Sequence, residues 1–562
     1  MAHIISRARG RFGLFTSPYA LILGSLLYFA FAYYFDTRWR YLPYNFAAIL
    51  TLASIIFLIS RRPFFSLYGA TLVAVLFTLI SMMKFHSKGL ALHVYDVVFI
   101  GSDVSTLSFL VRYYLPAVIV AAVGLAAIAT FLTILFRRED PAPWGVGVRS
   151  GIVAASLVAA VIAHRPTTRD ADFLPFIGGY NASAFFLSLW HIPSLMKPMQ
   201  FATPLDGADA GQPFVNDALC TKSGKQPDLF LTLSESQTSP LVFPQLSIPQ
   251  SVTQTYQSGD GTIRPLFVEI FGGGTWMTNF SVLTGLSTAD FGWLGPYVNH
   301  LLVDKVRGSL PDVLARCGYR TVAFMPMQYN SINEGPFLKS LGFQEIYDAD
   351  HMSLPVMGVR DTNYFDNAKD MIAQHRKNDK RPLFVLVQTM FTHSPYENTL
   401  EPVVAGEHVY ADDAGANEYL RRVGASRSDL VAYRDAIKAD PGARGSVFLE
   451  FGDHQSIATK PYILERTDDD NPFTTFRSPV YETFYAIHGF GTPIDYRKLG
   501  VVDAPFLIPS ILAATDLPSS QVFDDLASLS DVCHGEFHTC AQRAAVDRHI
   551  RRRMDADMLQ LN

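Results

Sequence analysis

Charged side chains are scarce in this 562-residue chain: Asp, Glu, Lys and Arg make up 17% of it, against 49% hydrophobic residues. The mean hydropathy of +0.17 is high for a soluble protein, so a membrane part is expected. The net charge of −5 and a pI near 6.3 show no basic surplus, which argues against a general nucleic-acid binder. Cysteine is rare too: only Cys220, Cys317, Cys533 and Cys540 occur, all beyond the apolar part. Cys533 and Cys540 in "CHGEFHTC" are close enough to pair, as an oxidising compartment would favour. Two free thiols, or a zinc site with His534 and His538, are the alternatives; the spacing fits no strong zinc pattern.

What is present is long apolar runs, and they are confined to the N-terminal part. Uncharged stretches run from Thr16 to Phe35, Tyr44 to Ser60, Pro63 to Met83 and Tyr113 to Phe136. Each is about long enough to cross a bilayer as a helix. A fifth, Ser150 to Ala163, is short unless Arg149 snorkels at its end. Arg7, Arg9 and Arg11, the Arg61-Arg62 pair and the Arg137-Arg138 pair mark one face as cytoplasmic. Arg38, Arg40, Lys84, Lys88 and Arg112 fall in the opposite loops and weaken that bias. With five crossings the N-terminus lies inside and the soluble part outside.

Three domains are expected: a five-helix transmembrane domain (1–165), an interfacial helix and linker (166–225), and an extracytoplasmic catalytic domain (226–562). The run "HVYDVVFIGSDVSTLSFLV" is interrupted by Asp96 and Asp103, so it is read as interfacial or re-entrant. In "NASAFFLSLWHIPSLM", Phe185, Phe186, Leu189, Trp190 and Ile192 form a stripe suited to the membrane surface, with burial against the soluble domain the alternative. "ATPLDGADAGQP" then reads as a linker.

Beyond it, short apolar runs alternate with amphipathic stretches. "LFLTLSES", "TVAFMP", "LFVLVQT", "SVFLEFGDH" and "TFYAIHG" read as strands; "LPDVLARCG", "YFDNAKDMIAQH" and "ASRSDLVAYRDAIKAD" read as helices. The alternation predicts an α/β domain with a largely parallel central sheet, whose ligands gather beyond the C-terminal strand ends. Polar groups stand there: Glu235 after the first strand, His393 in "VQTMFTHSPY", and Asp453-His454 after "VFLEFG". Thr275 follows three glycines in "FGGGTWMTNF" and opens a helical pattern. Any of these alone is an ordinary cap or surface group. Together they form a site in which Glu235, Asp453, His454 and the Thr275 oxygen hold one divalent cation, which would activate the weak threonine nucleophile. The first N–H groups of the Thr275 helix would face an attacked phosphate, and His393 would bind substrate or protonate the leaving alkoxide. Thr278 is the alternative nucleophile.

The order Glu, Thr, His, Asp-His behind five apolar helices resembles the lipoteichoic acid synthase family. These are membrane phosphoglycerol transferases of the alkaline phosphatase/sulfatase superfamily, related to phosphoethanolamine transferases. The resemblance implies Thr275 as nucleophile, Glu235, Asp453 and His454 as metal ligands with Thr275, and His393 as the substrate-binding histidine. Phe280 and the stretch "GVRDTNYFDNAKDMI" also match. The implied metal is manganese, with magnesium or zinc next. The implied donor is phosphatidylglycerol or phosphatidylethanolamine, and the acceptor a hydroxyl of a glycan, lipid or polymer. The implied location is the bacterial cytoplasmic membrane, with the catalytic domain outside. One departure matters. Where the family has a Trp and an Arg contacting glycerol phosphate, this chain has "MQYNSINEGPF", which leaves Arg360 or Arg477 as substitutes for the positive charge. A sulfatase would need x-Pro-x-Arg after its nucleophile, and "WMTNF" follows Thr275. Phosphodiester hydrolysis and an inactive lipid-binding regulator are the remaining readings.

Overall fold

The computed structural model describes residues 17–36, 41–88, 90–100, 111, 115–165, 181–196, 199–201, 205, 211–220, 226–403, 407–440, 442, 444–469 and 472–561. Arg7, Arg9, Arg11, Arg38, Arg40, Asp103, Arg112 and most of the expected linker lie outside them. The chain forms two compact units, Met1–Pro198 and Met199–Asn562.

The first unit is helical: α1 (Pro18–Phe35), α2 (Leu42–Ser60), α3 (Pro63–Lys88), α4 (Leu115–Arg138), α5 (Val146–His164) and α6 (Ala182–Ser188). Ser17 starts α1, its Oγ accepting from Ala20 N at 3.1 Å, with Pro18 in the first turn where a missing N–H costs nothing. All five apolar stretches fold as helices. Among the described residues, Leu42–Ser60, Pro63–Phe85, Val118–Arg138 and Val146–His164 are long and apolar enough to cross a membrane, and Ile22–Phe35 is shorter.

Two expectations need correction here. The fifth stretch is not short, because α5 begins at Val146 and runs 19 residues. Arg149 does not snorkel; it is buried, donating to the Leu58 carbonyl at the end of α2 and, at 3.2 Å, to Trp144 O. The stripe at 185–192 also divides. Phe185 and Phe186 are buried, with Phe185 lying 4.1 Å from Phe77 ring to ring, while Leu189, Trp190 and Ile192 are exposed. α6 is therefore buried among the helices of the first unit, which is neither the membrane-surface reading nor burial against the soluble domain. A buried carboxylate anchors this segment: Asp36 accepts from Asn45 Nδ2 at 2.7 Å, Ser183 Oγ at 3.2 Å and Asn181 N. Asp96, read as an interruption, is an internal partner of Lys84 at 2.7 Å.

The second unit is built on an eight-stranded sheet in the order β4-β3-β5-β1-β6-β7-β2-β8. Its strands are β1 (Asp228–Ser234), β2 (Arg264–Phe267), β3 (Arg320–Phe324), β4 (Glu345–Tyr347), β5 (Leu383–Gln388), β6 (Ser446–Gly452), β7 (Glu482–Phe490) and β8 (Val502–Asp503). Every residue of β1, β5 and β6 is buried, as strands covered by helices on both faces must be. β1 lies between β5 and β6 and is parallel to both, with Leu233 opposite Gln388 and Ser234 opposite Gly452. Their C-terminal ends are thus level. β7 is antiparallel to both β6 and β2, so β2 regains the direction of β6 and also ends at this edge. A large buried cluster joins Phe230, Val385 and Phe448 of these strands to Tyr364 and Phe365 of α8 (Thr362–Asn378) and Tyr433 of α9 (Ala414–Ala439). Truncating a core phenylalanine such as Phe448 to alanine is worth about 3–5 kcal/mol.

Disulfides join Cys533 to Cys540 and Cys220 to Cys317. His538 does not ligate a Cys/His zinc site; its Nε2 lies 3.0 Å from Glu269 Oε1.

Candidate active site

The level ends of β1 and β6 deliver three of the expected groups. Glu235 follows β1, and its backbone is clamped from the β5 side: Glu235 N donates to Thr389 Oγ1 at 3.1 Å, and Thr392 Oγ1 donates to Glu235 O. Asp453 and His454 follow β6. Ser236 N (2.7 Å) and His454 N (2.8 Å) both donate to Asp453 Oδ1, which fixes the carboxylate plane. Asp453 Oδ2 is buried with no hydrogen-bond partner among the described residues. His454 Nδ1 lies 3.0 Å from the Gln455 carbonyl and so carries the proton, leaving Nε2 as the ligating nitrogen. That Nε2 lies 3.3 Å from Asp453 Oδ2 and 3.7 Å from Glu235 Oε1.

Thr275 arrives from the turn after β2. Gly272 and Gly274 both hold positive φ, of 72° and 96°, which the sharp turn demands. A Cβ on Gly272 would sit 2.5 Å from Ile457 Cγ2, so the backbone approach also needs glycine. Gly274 is the N-cap of α7 (Thr275–Thr284), and no side chain caps the helix. Thr275 is therefore the first helical residue and not a cap. Its hydroxyl donates to Glu235 Oε2 at 2.9 Å. Thr278, the alternative nucleophile, is buried and its hydroxyl is committed to the Asp453 carbonyl at 2.7 Å.

Ligand atoms from Glu235, Asp453 and His454 lie within 4.8 Å of one another, and all three side chains are buried. Burial raises the Asp453 carboxyl far above the usual range, and the charge of Glu235 adds to that. Burial opposes ionisation of Glu235 as well, but His454 and His393 outweigh it and hold this carboxyl below its ordinary value. Two carboxylates and an imidazole converging in a buried site, with Asp453 Oδ2 bearing no donor among the described residues, are the donor set of a divalent cation. The residues fit a divalent metal ion, as the resemblance implies.

His393 is half-buried, with Nδ1 2.5 Å from the Ser394 carbonyl. Its loop is held by a residue that sequence reading missed. Arg422, 2% exposed, donates to the carbonyls of His393 (2.8 Å), Pro395 (3.0 Å) and Asn398 (2.6 Å) and pairs with Glu418 at 2.8 Å. Asp361 braces the same segment, accepting from Met390 N (3.2 Å) and Phe391 N (3.0 Å); burial pushes its carboxyl up to about 6. Arg422→Lys keeps the charge but not the three-way fork. It is expected to fold and bind metal normally, yet lose about 10- to 100-fold in turnover through displacement of His393. Metal content and steady-state kinetics of the purified variant measure this.

Arg360 and Arg477, the substitutes considered for the positive charge, are both paired with carboxylates. Arg360 is paired with Glu401 (2.6 Å) and Asp429 (2.8 Å), and Arg477 with Asp503 (3.2 Å) and Glu536 (2.8 Å).

Residues 229–459 match the family model for sulfatases. An uncharacterized protein of Haemophilus influenzae is 28% identical over 258 residues, 42% of this chain and 44% of its own length. Phosphoglycerol transferase I of Salmonella arizonae is 26% identical over 186 residues, 31% of this chain and 24% of its own. The chain thus aligns with less than half the length of these relatives. Among solved structures, the integral membrane lipooligosaccharide phosphoethanolamine transferase A of Neisseria meningitidis gives a TM-score of 0.47 at 14% identity. That match covers 90% of this chain and 98% of that one. The stretch that matches the sulfatase model is the one that carries Glu235, Thr275, His393, Asp453 and His454.

Proposed function

We propose that the chain is a metal-dependent transferase that moves a phosphoglycerol headgroup from a phospholipid, through an ester on Thr275, to an acceptor hydroxyl. The observation that carries this reading is the Thr275 hydroxyl 2.9 Å from Glu235, beside the buried Asp453–His454 pair. Glu235, Asp453 and His454 would hold the cation with the Thr275 oxygen. When bound, it supplies a lowered hydroxyl pKa and neutralises phosphate charge. Manganese is the proposed metal, following the resemblance.

The chain's own groups account for the proton movements. Thr275 Oγ1 attacks phosphorus, and its proton has an acceptor in Glu235 Oε2. The bond from phosphorus to the diacylglycerol oxygen breaks, and His393 Nε2 donates a proton to that oxygen. An acceptor hydroxyl then attacks the Thr275 ester, losing its proton to His393, as the bond from phosphorus to Thr275 Oγ1 breaks and Glu235 returns the proton to Thr275 Oγ1. The uncapped N–H groups at the start of α7 stabilise the phosphate oxygens in both steps. Phosphoglycerol is preferred over phosphoethanolamine because sequence relatives of the chain, among them that of Salmonella arizonae, are named phosphoglycerol transferase I.

The apolar helices suit a lipid donor, since a membrane-held enzyme meets it at high effective concentration. The soluble unit is proposed to lie outside the cytoplasm. Alkaline phosphatase fused after Asn562 is expected to be active; activity of a cytoplasmic reporter alone would contradict this topology. The test of the reaction is release of diacylglycerol from radiolabelled phosphatidylglycerol by the full chain in detergent. No release from this lipid, in the presence of metal and an acceptor alcohol, would overturn the reading.

A further inference from the structure

We infer that buried amides beside the Thr275 helix form a subsite for paired hydroxyl groups, so that the site selects a polyol headgroup over one ending in an ammonium. The inference rests on the transferase reading above and specifies the chemistry which that site accepts.

Asn279 lies one turn after Thr275 on the same face of α7. Its Nδ2 donates to Glu334 Oε1 at 3.4 Å, and Gln388 Nε2 donates to the same oxygen at 2.9 Å. Gln388 ends β5 and precedes Thr389, the residue that accepts from Glu235 N. The cluster therefore adjoins the proposed catalytic groups through both α7 and β5. Asn299 completes it, with Trp276, Phe280 and Phe337 forming the apolar walls.

Asn279 is 2% exposed and Asn299 1%. Among the described residues, Asn279 Oδ1 and both Asn299 side-chain polar atoms have no hydrogen-bond partner. Folded proteins seldom leave such groups unanswered, and three in one place point to a ligand. The space between them is too tight for a water, so a buried water does not answer them. A ligand reaches them by parting the lining side chains. The segment next to Glu334 is suited to give way, because Ile332 and Asn333 hold positive φ of 46° and 58°.

The donor and acceptor count selects the ligand. Two amide oxygens await donors and one amide nitrogen awaits an acceptor. An ammonium offers donors alone and would leave Asn299 Nδ2 unanswered. Paired hydroxyls donate to both oxygens and accept from the nitrogen. Exchanging the ends of the Asn299 amide changes nothing, since both are unpartnered. The Asn279 amide is fixed by Glu334, which must face its nitrogen.

The test is calorimetry on the metal-loaded full chain with sn-glycerol 1-phosphate and with ethanolamine phosphate. Glycerol phosphate is expected to bind at least about tenfold more tightly, the contribution of one or two hydrogen bonds. Asn299→Leu, close in volume and free of polar atoms, is expected to abolish the preference while sparing ethanolamine phosphate binding and metal content. Asn279→Leu provides the same comparison should the first variant fold poorly. Equal affinities in the native chain, or a parallel loss of both ligands in the variants, would overturn the subsite. Persistent diacylglycerol release without selectivity removes the subsite alone; selectivity without release removes the transferase reading and leaves the polyol site standing.

Discussion

Thr275→Ala is expected to abolish turnover, by at least about a thousandfold, while the protein stays folded and metal-loaded. The stability cost is small for reasons visible in the geometry. Gly274 and not Thr275 occupies the N-cap, so no capping bond is lost. Alanine is the better helix former, which offsets part of the lost hydroxyl bond to Glu235, itself worth about 1–2 kcal/mol. Thr275→Ser keeps a hydroxyl at the same backbone position and is expected to retain partial activity. Thr278→Ala provides the contrast: it removes the bond to the Asp453 carbonyl, so it is expected to reduce stability more than chemistry. Melting curves and initial rates on phosphatidylglycerol separate the two effects. An alanine variant at position 275 with near-normal transfer would show that the hydroxyl is not the nucleophile.

Removing a ligand is the second change with a large expected effect. Glu235→Ala, Asp453→Ala and His454→Ala should each lose bound metal and activity together. The native protein should also gain stability on metal addition, by about 2.7 kcal/mol at a hundredfold excess over the dissociation constant. The variants should gain almost none of it. Without metal the sign is different for Asp453. Its carboxylate shares a buried site with Glu235, and burial and the like charge together disfavour ionisation. Asp453→Asn is therefore expected to be no less stable than the metal-free native protein. Full metal content in all three alanine variants would dismantle the site.

The sequence was most legible where burial is uniform. β1, β3, β5 and β6 are short apolar runs, and their polar endings mark the edge where Glu235, His393, Asp453 and His454 stand. β2 was harder to see, since "RPLF" is only four residues and carries Arg264 and Pro265. "TFYAIHG" was visible as a strand, but its antiparallel direction in β7 depends on neighbours remote in sequence. α9 begins at Ala414, well before the amphipathic pattern at 425, for a definite reason. Its buried face mixes Glu418, Arg422, Ser426 and Arg427 with Tyr419, Leu420 and Val423, so buried polar side chains mask the apolar period there. Arg427 pairs with buried Glu450, and Arg422 holds the His393 loop. Residues of that kind position a site through partners far along the chain, which no local pattern reveals. The Cys220–Cys317 disulfide, 97 residues apart, is hidden for the same reason.

The central claim is a covalent phosphate ester on Thr275, and intact-mass measurement of the full chain tests it most directly. Metal-loaded protein is mixed with phosphatidylglycerol without acceptor, quenched in acid and digested. A mass increase equal to one glycerol phosphate less one water, mapped to the peptide containing Thr275 and absent from Thr275→Ala, is the predicted result. Diacylglycerol release without any adduct, or an adduct that persists in Thr275→Ala, would contradict it.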